Sequence, residues 1–264
     1  MGSEETFQLR SLASGWRTGR FAALEALGGP HLVTTRRGPD VERVRHDPAA
    51  AGTEIADSLD LSAVAFLDQV HGGDVLACRE GGLAGRADGL VTATAGLLLL
   101  GKSGDCPIVL IADKQRRAVG FAHASWRAIV AGVVPAAVRQ MVALGCRPAD
   151  LVACICPSAG PECYEVGDEV RTAALNEIGP HAAAFFRPGR RGKDHLDLWT
   201  ANVDALRRSG VPPTSIHVAG MCTLCRNDLF PSYRCEGNAA GRFAAVIGLP
   251  ATAGGQAGRQ ARLG

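Results

Sequence analysis

A chain of 264 residues with 47% hydrophobic and 20% charged side chains has ample apolar material for a sizeable core, which excludes a disordered or fibrous polypeptide. The formal net charge of +2, with no basic block beyond the short run 187–193, lacks the electrostatic footprint of a nucleic-acid binder, and that run reads as a solvated loop. No apolar stretch is long enough to span a bilayer and the N-terminal region lacks an export signal, so the expected location is the cytoplasm and the nine cysteines are expected as reduced thiols, most of them small core residues.

In chain order, residues 39–57 are polar, alanine-rich and weakly patterned, but lie too near one end to be a linker between two folded halves. Strands are predicted at 63–67 and 89–92, followed by an apolar run at 96–100. A strand at 108–112, a polar turn at 113–117 and a strand at 118–122 come next. Apolar positions recur at helical spacing over 126–144 and stop at Gly145, with Pro135 expected to kink or break the helix. A strand at 152–155 precedes amphipathic stretches at 168–178 and 198–208, which alternate with strands at 215–219 and 242–247. This interleaving gives an α/β class in one domain over 1–249, and the 113–117 turn requires at least one antiparallel strand pair. Residues 250–264, rich in Gly, Ala, Gln and Arg without an apolar period, are expected to form a disordered tail.

Three residues suited to chemistry fall at strand ends. Cys106 lies in Ser103-Gly104-Asp105-Cys106-Pro107, a break between two apolar strands, and His123 closes the next strand just before Trp126 opens a helix. His71 lies in Gln69-Val70-His71-Gly72-Gly73, where the run after Leu67 ends at two glycines. Soft and borderline ligands can meet at one sheet edge, where α/β proteins place their sites. The gaps between them are far too long for a zinc finger, so a metal held there is catalytic and keeps an open position. Any single histidine is also explained as a satisfied buried or surface residue, and a metal-free thiol hydrolase with Cys106 as nucleophile and His123 as base is the main non-metal rival.

Other patterns carry less. Residues 96–103 fit the P-loop expression, yet four leucines make a poor phosphate cradle and Gly104, Asp105 and Pro107 follow where a helix must begin, so a buried strand is expected. Cys222-Thr-Leu-Cys225 with Cys235 fits a redox pair or part of a metal site, but no further ligand at matching spacing is evident and inert thiols are the simpler reading. Neither His71 nor His123 has Glu two places later and no Pro-Cys-x-x-Cys occurs, so the zinc-deaminase signature is missing. Seven histidines without a His-x-His pair are a poor supply for a multicopper oxidase.

Taken together, Gln69-Val70-His71-Gly72, Ala87-Asp88-Gly89-Leu90-Val91-Thr92, Asp105-Cys106-Pro107, His123-Ala-Ser-Trp126-Arg127, Tyr164-Glu165-Val166-Gly167, Cys222-Thr223 and Ser232-Tyr233-Arg234 resemble one family. It is the YfiH-type family, also called laccase-domain or polyphenol oxidase proteins, and the resemblance runs in the family's order over residues 36–249. It implies a three-layer α/β/α sandwich with a mixed sheet and a zinc ion, with copper the lesser candidate, on His71, Cys106 and His123. It further implies a purine nucleoside phosphorylase acting on adenosine, inosine or methylthioadenosine with phosphate, in some members with adenosine deaminase activity. Copper polyphenol oxidases and editing hydrolases of peptidoglycan precursors are also described in the family. On this reading Asp105, Cys106 and His123 are the catalytic set, Asp105 serving as the acid near the base, and Arg36, Gln69, Arg127 and Arg234 are substrate contacts, the arginines holding phosphate.

Departures from the family pattern are specific. Ser103-Gly104 stands for Thr-Ala, Ser125-Trp126-Arg127-Ala128 for Gly-Trp-Arg-Gly, and Cys156 for the Gly before Pro157. Cys235 replaces an Arg, which removes one phosphate-binding cation, and residues 39–57 lack the family's Ser-x-Asn and Asn-Arg stretches, which leaves substrate contacts from that region unassigned.

Overall fold

The computed structural model describes residues 6–189 and 192–251, and in it the long apolar runs become central strands. In the first sheet, β1 (Phe7–Ser11), β2 (Arg17–Phe21), β3 (His31–Val33), β16 (Phe243–Gly248), β8 (Leu97–Ser103), β4 (Ala63–Asp68) and β6 (Gly82–Arg86) lie side by side in that order. A second sheet has the order β15 (Ile216–Val218), β11 (Leu151–Ile155), β9 (Ile108–Asp113), β10 (Val119–His123), β7 (Gly89–Thr92) and β5 (Val75–Ala77). Both are mixed: β4 runs parallel to β8 and β6, and β5 to β7, while β9 and β10 form the antiparallel hairpin expected from the polar turn. The apparent P-loop is the buried strand β8, as its four leucines demand.

The two sheets pack face to face. Leu99, Phe243, Ala245 and Ile247 of the first share one core with Leu110, Phe121 and Val152 of the second. They come so close at Gly101 that a Cβ there would lie 2.9 Å from the Phe121 ring. Helices cover both outer faces. Val134, Ala137 and Met141 from Val133–Ala143, with Leu206 from Leu198–Arg208, pack on Val109, Ile111, Ala153 and Ile155. Val44, Ala51 and Ile55 pack on Val64, Leu98, Leu100 and Val246. The fold is thus the expected α/β/α sandwich with mixed strand directions, its β layer doubled. Periodicity cannot separate two sheets whose strands are buried on both faces.

The helices on the first sheet arise from the weakly patterned segment. Val41–His46 is capped by Asp40, which accepts from Glu42 N at 2.8 Å, and Pro48–Asp57 by Asp47, which accepts from Ala50 N at 3.1 Å, with Pro48 in the first turn. Their pattern is faint because the buried face of the second is mostly Ala51, Gly52 and Ala56, and a Cβ on Gly52 would press to 2.8 Å of Val64. The 126–144 stretch does break, into Trp126–Val130 and Val133–Ala143, but not at Pro135 as expected. Gly132 makes the break at φ +77°, so Pro135 falls in the first turn of the second helix, where its missing N–H costs nothing.

A small third sheet of β12 (Glu165–Val166), β14 (Asp194–Leu196) and β13 (Phe186–Pro188) had no counterpart in the predicted elements, its strands being too short to show a period. Arg187 and Lys193 of the basic run pair there with Glu162 at 2.6 Å and Glu165 at 3.1 Å, while Arg190 and Arg191 lie outside the described residues. So does most of the expected tail, residues 252–264. Only Cys146, Cys154 and Cys156 are buried core thiols, fewer than the majority expected, because Cys78, Cys106, Cys163 and Cys222 are half-buried and Cys225 and Cys235 are exposed on loops or short elements. Among the described residues no helix is long and apolar enough to cross a membrane.

Candidate active site

The hairpin register brings the chemistry together. Because His123 pairs with Ile108 across β9 and β10, and Ala124 N donates to Pro107 O at 2.8 Å, Cys106 arrives beside the His123 ring. On the other side β7 pairs with β10, so Asp88, one residue before β7, lies against the same histidine. His123 N donates to Asp88 O at 2.7 Å, and His123 Nδ1 lies 2.8 Å from Asp88 Oδ1. The second carboxylate oxygen accepts from Val70 N at 3.1 Å and Gly72 N at 2.6 Å, which pins the turn that carries His71 at φ +60°. Gly73 completes that turn, where a Cβ would sit 2.4 Å from Ala131 O.

His71, Cys106 and His123, far apart in sequence, offer ligand atoms that all lie within 4.8 Å of one another. Two imidazoles and a thiolate are a donor set suited to zinc, and three protein ligands leave the open position of a catalytic site. Asp88 occupies Nδ1 of His123 and leaves Nε2 to ligate, with a carboxylate behind the imidazole to fix its tautomer. The residues present therefore fit the ion that the sequence resemblance implies.

Charge in this cluster is tightly linked. Burial alone would raise the Cys106 thiol, but hydrogen bonding and charge from His123 and then His71 outweigh it and bring it down to about 7. Burial would lower His123, but Asp88 and Cys106 raise it to about 9. Both shifts favour a thiolate and imidazolium pair in the metal-free chain. Iodoacetamide alkylation of Cys106 in metal-stripped protein, read by peptide mass spectrometry, is therefore expected to reach half its limiting rate near pH 7 rather than at the ordinary 9.0. Asp88→Asn is expected to move that midpoint upward, because His123 loses the partner that holds its proton. A midpoint at the ordinary value in the unmutated chain would rule the pair out.

The cluster opens into a cavity of about 590 Å³. Four cations line it: Arg45, Lys102, Arg234 and Arg242. Arg234 is held by its own N–H to Asp105 Oδ2 at 2.7 Å and by Nη1 to Glu165 O at 2.9 Å, with its guanidinium 4.9 Å from the centre of the Tyr164 ring. Arg242 Nη1 donates to the carbonyls of Ala240 and Gly241, both at 2.8 Å. Burial first, then the neighbouring Arg45, pulls the pKa of Arg242 down, and burial likewise lowers that of Lys102. An anion placed among these cations would relieve this crowding. Tyr164 and Tyr233 add two aromatic rings to the lining.

Of the sequence-derived substrate contacts, Arg234 and Gln69 line the cavity. The Gln69 amide is committed to the main chain of Lys102, donating to its O at 2.9 Å and accepting from its N at 3.0 Å. Arg36 and Arg127 are not in the lining. Arg36 pairs with Glu236 and donates to Asn227 O at 2.8 Å, and Arg127 lies exposed, 4.3 Å from the Trp126 ring centre. Asp105 lines the cavity at φ +107°, and both its carboxylate oxygens are engaged as acceptors, Oδ1 from Thr223 Oγ1 at 2.7 Å and Oδ2 from Arg234 N. The sequence reading missed Asp88, Arg45, Lys102 and Arg242. Only Asp88 carried a signal, as a lone carboxylate in the quoted Ala87-Asp88-Gly89 motif at the mouth of a buried strand.

Residues 35–250 match the family described as multi-copper polyphenol oxidoreductase laccase. Among curated proteins, the chain is 36% identical over 242 residues to a purine nucleoside phosphorylase of Deinococcus radiodurans, covering 85% of this chain and 90% of that one. It is 38% identical over 245 residues to the purine nucleoside phosphorylase SCO2081 of Streptomyces coelicolor, with coverage of 85% and 98%. Among solved structures, YlmD of Geobacillus stearothermophilus superposes with a TM-score of 0.82 at 27% identity, covering 92% of this chain and 98% of that one. The hypothetical protein YfiH of Bacillus licheniformis also gives a TM-score of 0.82, at 26% identity and with coverage of 91% and 98%.

Proposed function

The chain belongs to the family described as multi-copper polyphenol oxidoreductase laccase, and from that premise we propose that it is a zinc-dependent purine nucleoside phosphorylase acting in the cytoplasm. Its substrates on this reading are adenosine, inosine or methylthioadenosine with phosphate, and its products the free base and the sugar 1-phosphate. The relatives named as purine nucleoside phosphorylases support it. The observation that carries it is the placement of four cations around the same cavity as the Cys-His-His cluster. Phosphorolysis needs a bound anion aligned on the anomeric carbon, and fixed cations hold it there without reorganisation.

In this reading Arg234, Arg242 and Lys102 hold the phosphate, and the rings of Tyr164 and Tyr233 offer faces to the purine. Asp105, assigned by sequence as the acid, is better placed to hold Arg234 and Thr223 than to deliver a proton, since both its oxygens already accept. His71, Cys106 and His123 hold the zinc, and Asp88 orients His123. Zinc, when bound, supplies a Lewis acid that draws electron density from the group it meets.

Adenosine deamination is the second activity proposed, supported by the same open three-ligand site. A Cys-His hydrolase is favoured by one observation of its own, the placement of Cys106 within reach of His123, with Asp88 behind the imidazole. The peptidoglycan-editing amidase has no such separate support. Copper laccase chemistry is the weakest reading, because of seven histidines only His71 and His123 join a possible ligand cluster among the described residues.

Lys102→Ala and Arg234→Ala are each expected to raise the apparent KM for phosphate by roughly tenfold to a hundredfold, the worth of a charge-assisted hydrogen bond, with less effect on the KM for nucleoside. Arg127→Ala, outside the cavity lining, is expected to leave the phosphate KM unchanged. Phosphate kinetics unaffected by both cavity variants would place the anion elsewhere and remove the main support for phosphorolysis.

A further inference from the structure

We propose that Cys163, Cys222 and Cys225 form a second metal site, structural in role and suited to zinc, apart from the His71, Cys106 and His123 centre. The sulfur atoms of these three residues all lie within 4.8 Å of one another, and Cys163 Sγ is 3.4 Å from Cys225 Sγ. Thiolates at about 2.3 Å from a tetrahedral zinc lie roughly 3.8 Å apart, so only small side-chain movements separate this arrangement from a loaded one. The expected partner Cys235 is not in the cluster, and the missing ligand is Cys163, sixty-two positions from Cys225 along the chain.

The main chain around Cys222 is arranged for a charged sulfur. Gly160 N donates to Cys222 Sγ at 3.2 Å, and the amides of Cys225 and Leu224 also point to it. N–H groups converging on the first sulfur of a Cys-x-x-Cys turn stabilise a thiolate, which is the form that binds metal. A cation entering displaces the thiol protons to solvent and forms three bonds to sulfur, and because Cys225 is exposed, water can take a fourth position. A disulfide accounts for two of the sulfurs and leaves the third unexplained.

The site also has a position that gives it a purpose. It joins the loop after β11 to the loop after β15, which are already tied by Thr223 N to Ser158 O at 3.0 Å and Ser158 N to Met221 O at 3.2 Å. A Cβ on Gly160 would lie 2.9 Å from Cys222 Cβ, so the two loops touch here. Tyr164, next to Cys163, lines the cavity, and Thr223, next to Cys222, donates to Asp105. A metal at the sulfurs therefore braces both walls of the active site from behind.

The test is metal content by elemental analysis and native mass spectrometry on the full chain purified under reducing conditions, in five forms. The unmutated chain is expected to carry two zinc ions, His123→Ala one, Cys222→Ser one, and the double variant none. Cys225→Ser, at the exposed member of the cluster, is expected to lose the same ion with its far-ultraviolet circular dichroism unchanged, which separates loss of ligand from loss of fold. Cobalt added to metal-free His123→Ala is expected to give an intense thiolate-to-metal charge-transfer band that Cys222→Ser abolishes. An unmutated chain whose zinc content falls in His123→Ala but is the same in Cys222→Ser and Cys225→Ser overturns the proposal and leaves the catalytic centre standing. In a parallel sample purified without reductant, a metal-free chain two hydrogen atoms lighter than the reduced mass, with Cys163 and Cys225 linked by air oxidation, overturns it in favour of a disulfide.

Discussion

Cys106→Ser is expected to lose the catalytic zinc and to turn over nucleoside about a thousandfold more slowly than the unmutated enzyme, or worse. A three-ligand site has no spare donor, and a serine hydroxyl does not ionise to replace a thiolate near neutral pH. A Lewis acid contributes several kcal/mol at a transition state, and each 1.36 kcal/mol is tenfold in rate. Serine preserves the size of the side chain, and the loop itself is held by Asp105 through Thr223 and Arg234, so the fold is expected to persist. His123→Ala is expected to be equally inactive but less stable, because it leaves Asp88 buried without its partner. Zinc content of the catalytic centre and kcat measured side by side decide the matter. Cys106→Ser protein with full zinc at that centre and near-normal turnover would remove Cys106 from both roles.

What could be read in the sequence divides along physical lines. Strands made of unbroken apolar runs, such as β8 and β9, and helices with a full amphipathic period, such as Leu198–Arg208, were legible because local pattern alone determines them. The three candidate ligands were legible because each lies at or just beyond the end of an apolar strand run. The doubling of the β layer was not, since which sheet a fully buried strand joins depends on long-range pairing. Arg45 was hidden in a six-residue helix that buries only Val44, too short to show a period, and Lys102 within a run that reads as apolar strand or as an imitation P-loop. Arg36 and Arg127 sit in matching motifs, but what they touch is decided by Glu236 and Trp126, which sequence spacing does not reveal. Asp88 showed its motif but not its partners, because its contact with His123 spans two strands of the second sheet. Cys163 joined Cys222 and Cys225 only through the approach of two loops.

The reaction itself is expected to depend wholly on phosphate, a larger effect than any substitution. Hydrolysis and deamination need only water as the second reactant, whereas phosphorolysis has no nucleophile when phosphate is removed, and four cavity cations would otherwise stand around an unused site. The measurement is a panel of adenosine, inosine and methylthioadenosine incubated with and without phosphate, beside peptidoglycan-precursor amides, with products separated by chromatography and Cys106→Ser as the control. The predicted result is free base together with the sugar 1-phosphate, formed by the unmutated enzyme only when phosphate is present. The contradicting result is no change in any nucleoside under any condition while an amide substrate is cleaved, or inosine formed from adenosine at the same rate without phosphate and no free base with it.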